Sequence, residues 1–246
     1  MAETLSSYET ETDDRLQFIS TMVQTLNLIL LTASELHDLR QLLAKNESHK
    51  EFETLFHCWC HNPVATYSLC LLSQAYDLSF ALVQRFSDME DVSVGFLMQI
   101  DKLVHLLESP IFMHLRLQLL NVEAPYHSQL LKSIYGILMC LPQGDAFRLL
   151  NDRLTTVCNL RDNLGSSNLG GRNNTSKRNG KNENGDEKHV EMNILLERFD
   201  SVMERHQEAM SRTTIHASNG AHNDVVPSSE SMSSMGRQRL TPVATS

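Results

Sequence analysis

The chain is short of several things that most folds and most enzymes need. It has no sustained two-residue alternation of apolar and polar residues, and no Asn-Gly pair joins two apolar runs, so strands and hairpins are not expected. It carries no Gly-x-Ser-x-Gly elbow, P-loop, Gly-x-Gly-x-x-Gly fingerprint, His-Glu-x-x-His zinc motif or Cys-x-x-x-x-x-Arg phosphatase loop. Its 11 histidines are scattered, none in a general-base setting, so no catalytic residue is assigned and neither enzyme activity nor a cofactor is expected. An excess of basic residues is missing too. The formal net charge of -9 argues against a general affinity for nucleic acid or for an anionic membrane. The cluster Arg172, Lys177, Arg178 and Lys181 has acidic neighbours and reads as solvated linker.

Cysteine is equally uninformative as a framework. Cys58, Cys60, Cys70, Cys140 and Cys158 are odd in number, and each sits in an apolar helical context, as free thiols of a reducing compartment do. The first fourteen residues place Glu9, Glu11, Asp13 and Asp14 where a signal peptide would be basic, so secretion is not expected. The longest uncharged run, Leu16 to Ser34, contains Gln17, Ser20, Thr21, Gln24, Thr25, Asn27 and Thr32. These are costly in lipid, and the run reads as a buried helix of a helical stack.

What remains is helical periodicity. Leu16, Ile19, Val23, Leu26 and Leu30 form one stripe, and Leu36, Leu39, Leu42 and Leu43 a second. Phe52, Leu55, Phe56 and Trp59 share a face of a third helix, which Asn62-Pro63 ends. Asn62 can cap the helix that follows, and Pro63 suits its first turn. Ser109-Pro110 is expected to repeat that device. The fourth helix is expected from Pro63 to about Tyr76, with a turn at Asp77 to Ser79 and a fifth helix around Phe80, Val83 and Phe86. Val94 to Leu107, Pro110 to Leu120, and stripes at Leu130 to Leu141 and Phe147 to Val157 complete the series. Short turns between such helices suit an antiparallel all-α stack. The interval between the two prolines is near the period of about 40–47 residues of HEAT or armadillo repeats.

The expected fold is therefore an all-α solenoid of HEAT-like antiparallel helix hairpins. Residues 1–14 read as a disordered acidic N-terminus and 15–160 as the helical scaffold domain. Residues 161–188, which hold half the glycines of the chain, read as a flexible linker. Residues 189–212 read as an amphipathic helix that either docks on the stack or forms a short coiled-coil strand, and 213–246 as a disordered tail.

Two constellations stand out. His57-Cys58-Trp59-Cys60-His61 has the residue types of a metal site, but on a helix Cys58 and Cys60 project about 200° apart. No second pair follows at finger-like spacing, so no metal is expected. Arg116 and Gln118 interrupt a leucine-rich helix and read as one polar side, either a partner contact or, for the arginine, a bond to carbonyls between helices.

The stretch Trp59-Cys60-His61-Asn62-Pro63-Val64-Ala65 followed by Ser68-Leu69-Cys70-Leu71-Leu72 resembles the C-terminal region of the "Vac fourteen" family of vacuole-morphology scaffolds. Ile100-Asp101-Lys102-Leu103-Val104, Ser109-Pro110-Ile111-Phe112 and Leu115-Arg116-Leu117-Gln118-Leu119-Leu120 extend the likeness. So does Tyr135-Gly136-Ile137-Leu138-Met139 with Leu141-Pro142-Gln143 and Ala146-Phe147. The resemblance covers about residues 15 to 158. It implies a non-catalytic, self-associating scaffold that binds a Sac-family phosphoinositide 5-phosphatase and a FYVE-finger phosphoinositide 5-kinase. The complex would govern phosphatidylinositol 3,5-bisphosphate on the cytosolic face of vacuolar and endosomal membranes, which it would reach through its partners. Members of the family are much longer, so this chain looks like a C-terminal fragment or short isoform, and kinase contacts may not be assumed for the part alone. The residues expected to touch protein partners are Trp59, His61, Asn62, Pro63, Arg116 and Gln118. The rival readings are a generic helical-repeat adaptor with another partner and a peripheral protein that binds lipid directly.

Overall fold

A computed structural model describes residues 13–45, 49–89, 92–167 and 183–220. Ten α-helices are found among them, and no strand. They are α1 (Asp13–Thr32), α2 (His37–Ala44), α3 (His49–Trp59), α4 (Pro63–Leu72), α5 (Tyr76–Ser87), α6 (Val94–Leu107), α7 (Met113–Leu120), α8 (His127–Cys140), α9 (Asp145–Ser167) and α10 (Glu183–Gly220). Short 3-10 turns at Ser34–Leu36 and Pro110–Phe112 lead into α2 and α7. The all-α stack is as the periodicity predicts. Among the described residues no single helix is long and apolar enough to cross a membrane, although α1 and α2 together, bent by 80°, meet the length and composition test.

The core is organised around α4. Every residue from Val64 to Leu72 is buried, so this helix is apolar around its whole circumference and must be surrounded. Its neighbours are α1, α2, α3, α5 and α6. The polar atoms carried inside are satisfied locally. The Thr66 hydroxyl donates to the carbonyls of Trp59 and Asn62, and Ser68 donates to Ala65 O and to Asn27 Oδ1. α4 ends earlier than its leucines suggest. Gln74 takes a left-handed backbone (φ 59°), with Ala75 N–H bonded to Cys70 O and Gln74 N–H to Leu71 O, a Schellman closure without glycine. The chain turns there, and Asp77 to Ser79, expected as a turn, form the first turn of α5 instead.

The tightest helix pair is α5 against α8. Gly136 permits it: a Cβ there would lie 2.1 Å from Val83 Cγ1. The approach brings Ser79 Oγ to 2.9 Å and Tyr67 Oη to 3.0 Å from Ser133 Oγ, a small polar seam inside an apolar contact.

The repeating device is not the proline pair. Asn62 caps α4 through Ala65 N–H at 2.9 Å, but Ser109 makes no side-chain cap, and Pro110 opens a 3-10 turn rather than an α-helix. What recurs is an arginine clamp. Arg40 Nη1 donates to Leu30 O (2.9 Å) and Ala33 O (2.7 Å), binding the end of α1 to α2. Arg116 Nη1 donates to Leu107 O (2.8 Å) and Ser109 O (2.9 Å), binding the end of α6 to α7. Each clamp supplies donors to orphan carbonyls at a helix end. The recurring unit is a long helix, a 3-10 corner and an eight-residue helix, and its two clamping arginines, Arg40 and Arg116, lie farther apart in the chain than the two prolines.

The C-terminal boundaries differ from expectation. α9 runs to Ser167, into the stretch read as linker, because a formed helix adds residues at little cost even through weak formers. α10 is longer than 189–212, beginning at Glu183 and ending at Gly220. It folds back against α1, α3 and α5, burying Leu195, Leu196, Phe199 and Val202. The expected disordered ends and most of the expected linker (1–12, 168–182 and 221–246) lie outside the described residues.

Candidate protein-interaction surface

The turn from Trp59 to Pro63 is fixed from within. Trp59 Nε1 donates to Asn27 Oδ1 at 3.1 Å, tying α3 to α1. Trp59, His61 and Asn62 are 5%, 2% and 2% exposed, so three of the four residues expected to meet a partner here are enclosed by the chain itself; Pro63 is half-buried. His61 Nδ1 lies 3.0 Å from His206 Nε2 on α10, with the rings 5.3 Å apart and edge-on. Both imidazoles are held down at about 4, first by burial, which disfavours the cation, and then by positive neighbours. Arg205 acts on both, and His206 also acts on His61. Nearby thiols are kept protonated. Burial pushes Cys58 up to about 11 and raises Cys60 and Cys70 further. Among the described residues no group of three or more His, Cys, Asp or Glu side chains is placed to hold a metal ion.

Arg116 and Gln118 do not share a side. Two residues apart on a helix they diverge by about 200°, and α7 sends them to different neighbours. Arg116 holds the end of α6, as described. Gln118 Nε2 donates to Gln74 Oε1 at 2.7 Å, and Gln118 Oε1 accepts from Tyr76 Oη. Gln74 Nε2 in turn donates to Ala44 O at 2.5 Å, so one amide chain joins the end of α2, the α4–α5 turn and α7. Burial lowers the His114 pKa on the same helix, opposed in part by hydrogen bonds at Leu71 and Ile111.

With both polar residues spent on anchoring, α7 buries Leu115 and Leu119 and turns Met113, Leu117 and Leu120 outward, 52%, 61% and 45% exposed. Their i, i+4, i+7 spacing makes one apolar stripe on an eight-residue helix that cannot shift without breaking the Arg116 and Gln118 bonds. Motif reading singled out the anchors and missed this stripe. The available signal was a helix with leucine on every side.

Residues 1–157 match the family model described as "Vacuolar protein 14 C-terminal Fig4p binding". The chain belongs to this family. Protein VAC14 homolog of Arabidopsis thaliana is 51% identical over 152 residues, 60% of this chain and 20% of that protein. Protein VAC14 homolog of Schizosaccharomyces pombe is 47% identical over 156 residues, 62% of this chain and 19% of that protein. Vacuole morphology and inheritance protein 14 of Saccharomyces cerevisiae is 40% identical over 140 residues, 57% and 16% of the respective chains. The chain thus spans about a fifth of the length of these relatives. No solved structure matches it. The family's matched residues include α1 to α8 and most of α9; α10 lies beyond them.

Proposed function

We propose that the chain is a non-catalytic scaffold module that binds a Sac-family phosphoinositide 5-phosphatase, the Fig4p of the family's description, and copies of itself. Through these contacts it regulates phosphatidylinositol 3,5-bisphosphate turnover on the cytosolic face of vacuolar and endosomal membranes. A FYVE-finger phosphoinositide 5-kinase completes the assembly in this reading. The module reaches the membrane through its partners and alters lipid levels by positioning them.

The observation that carries the reading is the outward stripe Met113, Leu117 and Leu120 on a helix clamped by Arg116 and Gln118. A rigid, dehydratable ridge is what a protein partner buries at the centre of an interface. The test is light scattering coupled to size-exclusion chromatography of the full chain mixed with the phosphatase. Co-elution is expected, with a loss of at least tenfold in affinity for Leu117→Asp and an unchanged far-ultraviolet spectrum. Co-elution undiminished by Leu117→Asp would remove the stripe from the interface, and no co-elution at all would overturn phosphatase binding.

A further inference from the structure

Helix α7 carries two apolar faces, and burial alone does not say which one turns inward. Leu115 and Leu119 lie on one, and Met113, Leu117 and Leu120 on the other. The smaller set is buried and the larger one exposed, so something other than apolar area fixes the rotation of this helix. Its polar side chains do so. Arg116 is spent at the end of α6, and Gln118 reaches back to the α4–α5 turn. The residue that receives Gln118 is itself under strain. Among the described residues Gln74 is the one non-glycine with a positive φ, 59°. A glycine would hold the same left-handed closure at no steric cost. A long amide there carries a backbone penalty that its side-chain bonds offset. That side chain accepts from Gln118 Nε2 at 2.7 Å and donates to Ala44 O at 2.5 Å.

We infer that Gln74 is a positioning residue for the partner-binding stripe, selecting through Gln118 the face that α7 turns outward. The inference rests on the phosphatase-binding reading above and names what sets its geometry. The choice is between two rotations of one short helix. With Gln118 held between Gln74 Oε1 and Tyr76 Oη, α7 shows Met113, Leu117 and Leu120 to a partner. Turned the other way, it would bury those three and carry Gln118 away from both of its partners. The hydroxyl of Tyr76, a residue 3% exposed, would then lose its acceptor. Hydrogen bonds thus supply the choice of face that apolar residues on both sides withhold. Gln74 suits this task because it is fixed at both ends. Its backbone N–H is bonded to Leu71 O, and its Nε2 holds the last carbonyl of α2, so the Oε1 that receives Gln118 cannot swing away.

Two substitutions at position 74 separate positioning from stability, read on the full chain. Gln74→Gly relieves the backbone and removes the acceptor of Gln118. Gln74→Glu keeps that acceptor, keeps the strain, and at neutral pH loses the donor to Ala44 O. Phosphatase affinity by titration calorimetry is expected to fall roughly fivefold in Gln74→Gly, the worth of one hydrogen bond, and to stay near wild type in Gln74→Glu. Melting temperatures are expected in the opposite order, with Gln74→Glu the lower, because its carboxylate faces the Ala44 carbonyl. The Met113 methyl resonance, assigned by its loss in Met113→Leu, reads the helix without any partner. One sharp line is expected in wild type and in Gln74→Glu, and a second or broadened line in Gln74→Gly. Affinities that follow the melting temperatures would overturn the inference, as would a Gln74→Gly chain that binds like wild type or keeps the Met113 line unchanged. If the wild-type chain binds no phosphatase, the partner reading falls, and the Met113 line still decides whether Gln74 sets α7.

Discussion

Acidification should loosen α10 from the stack in a way that one substitution can isolate. The native His61 and His206 imidazoles hold out to about 4 against an ordinary value of 6.5. The unfolded chain therefore binds protons below about pH 6.5 that the native state refuses until about pH 4. Stability is full above that window, falls as the pH drops through it, and levels off below it. A displacement of this size corresponds to about 3 kcal/mol for one imidazole at 1.36 kcal/mol per unit. The pair yields less than twice that, because the first proton is shared across the Nδ1···Nε2 bond and part of the His61 shift is the His206 ring. Against a typical stability of 5–15 kcal/mol this is a large share.

Urea unfolding between pH 8 and 4, on wild type and His206→Gln, reads it out. Glutamine keeps a donor and an acceptor near His61 but does not titrate, and it removes one of the two positive neighbours that lower His61, leaving Arg205. The difference between the two curves cancels the ordinary carboxylates, which also protonate near pH 4. That difference is expected to grow by about 2 kcal/mol from pH 7 to pH 4.5, in favour of the variant. Hydrogen exchange at pH 5 should place the loss in α10, with α4 still protected. Parallel curves for the two proteins would refute the argument, because they would mean that neither imidazole is held neutral by its burial.

Gly136→Ala should be strongly destabilising, by about 2–4 kcal/mol despite the better helix propensity of alanine. The new methyl would sit 2.1 Å from Val83 Cγ1, and Val83→Ala in the same chain should restore much of the loss in a urea titration. Truncation after Ser167 should lower the melting temperature and expose dye-binding apolar surface. It would uncover Phe86, whose ring lies 6.4 Å from that of Phe199, and the His61 side of the turn. An unchanged melting temperature would make α10 an ornament of the domain rather than part of it.

Local chemistry was legible in the sequence and tertiary chemistry was not. Asn62 caps α4 as its side chain and the following proline suggest, since both effects act within four residues. Ser109-Pro110 looks the same on paper. There, however, the serine side chain makes no cap, and the Ser109 carbonyl is taken by Arg116 from seven residues away. The stripe of α1 was read correctly on its buried side. Nothing in a single helix says whether its other side meets a neighbour, so Phe18 and Leu28 could not be placed. Trp59 and His61 were expected at a partner's surface because of their residue types. Their burial comes from Asn27, 32 positions before Trp59, and from His206, 145 positions after His61, distances over which periodicity carries no information. Arg116 and Gln118 were read as one polar side, although their spacing alone separates them.

The return of α10 to the first half of the stack also sets a schedule. The groove it fills is made by α1, α3 and α5, which are complete once Ser87 has left the ribosome. Its occupant begins only at Glu183, and at ~5–20 residues per second about 100 further residues delay it by roughly 5–20 seconds. Through that interval the sides of Phe86 and of the Cys60-His61 corner that α10 covers stay open. The nascent protein is therefore a client for any factor that shelters apolar grooves, and crowded polysomes expose it to the α10 of a neighbouring chain. Synthesis rate, as much as sequence, decides which helix closes the fold.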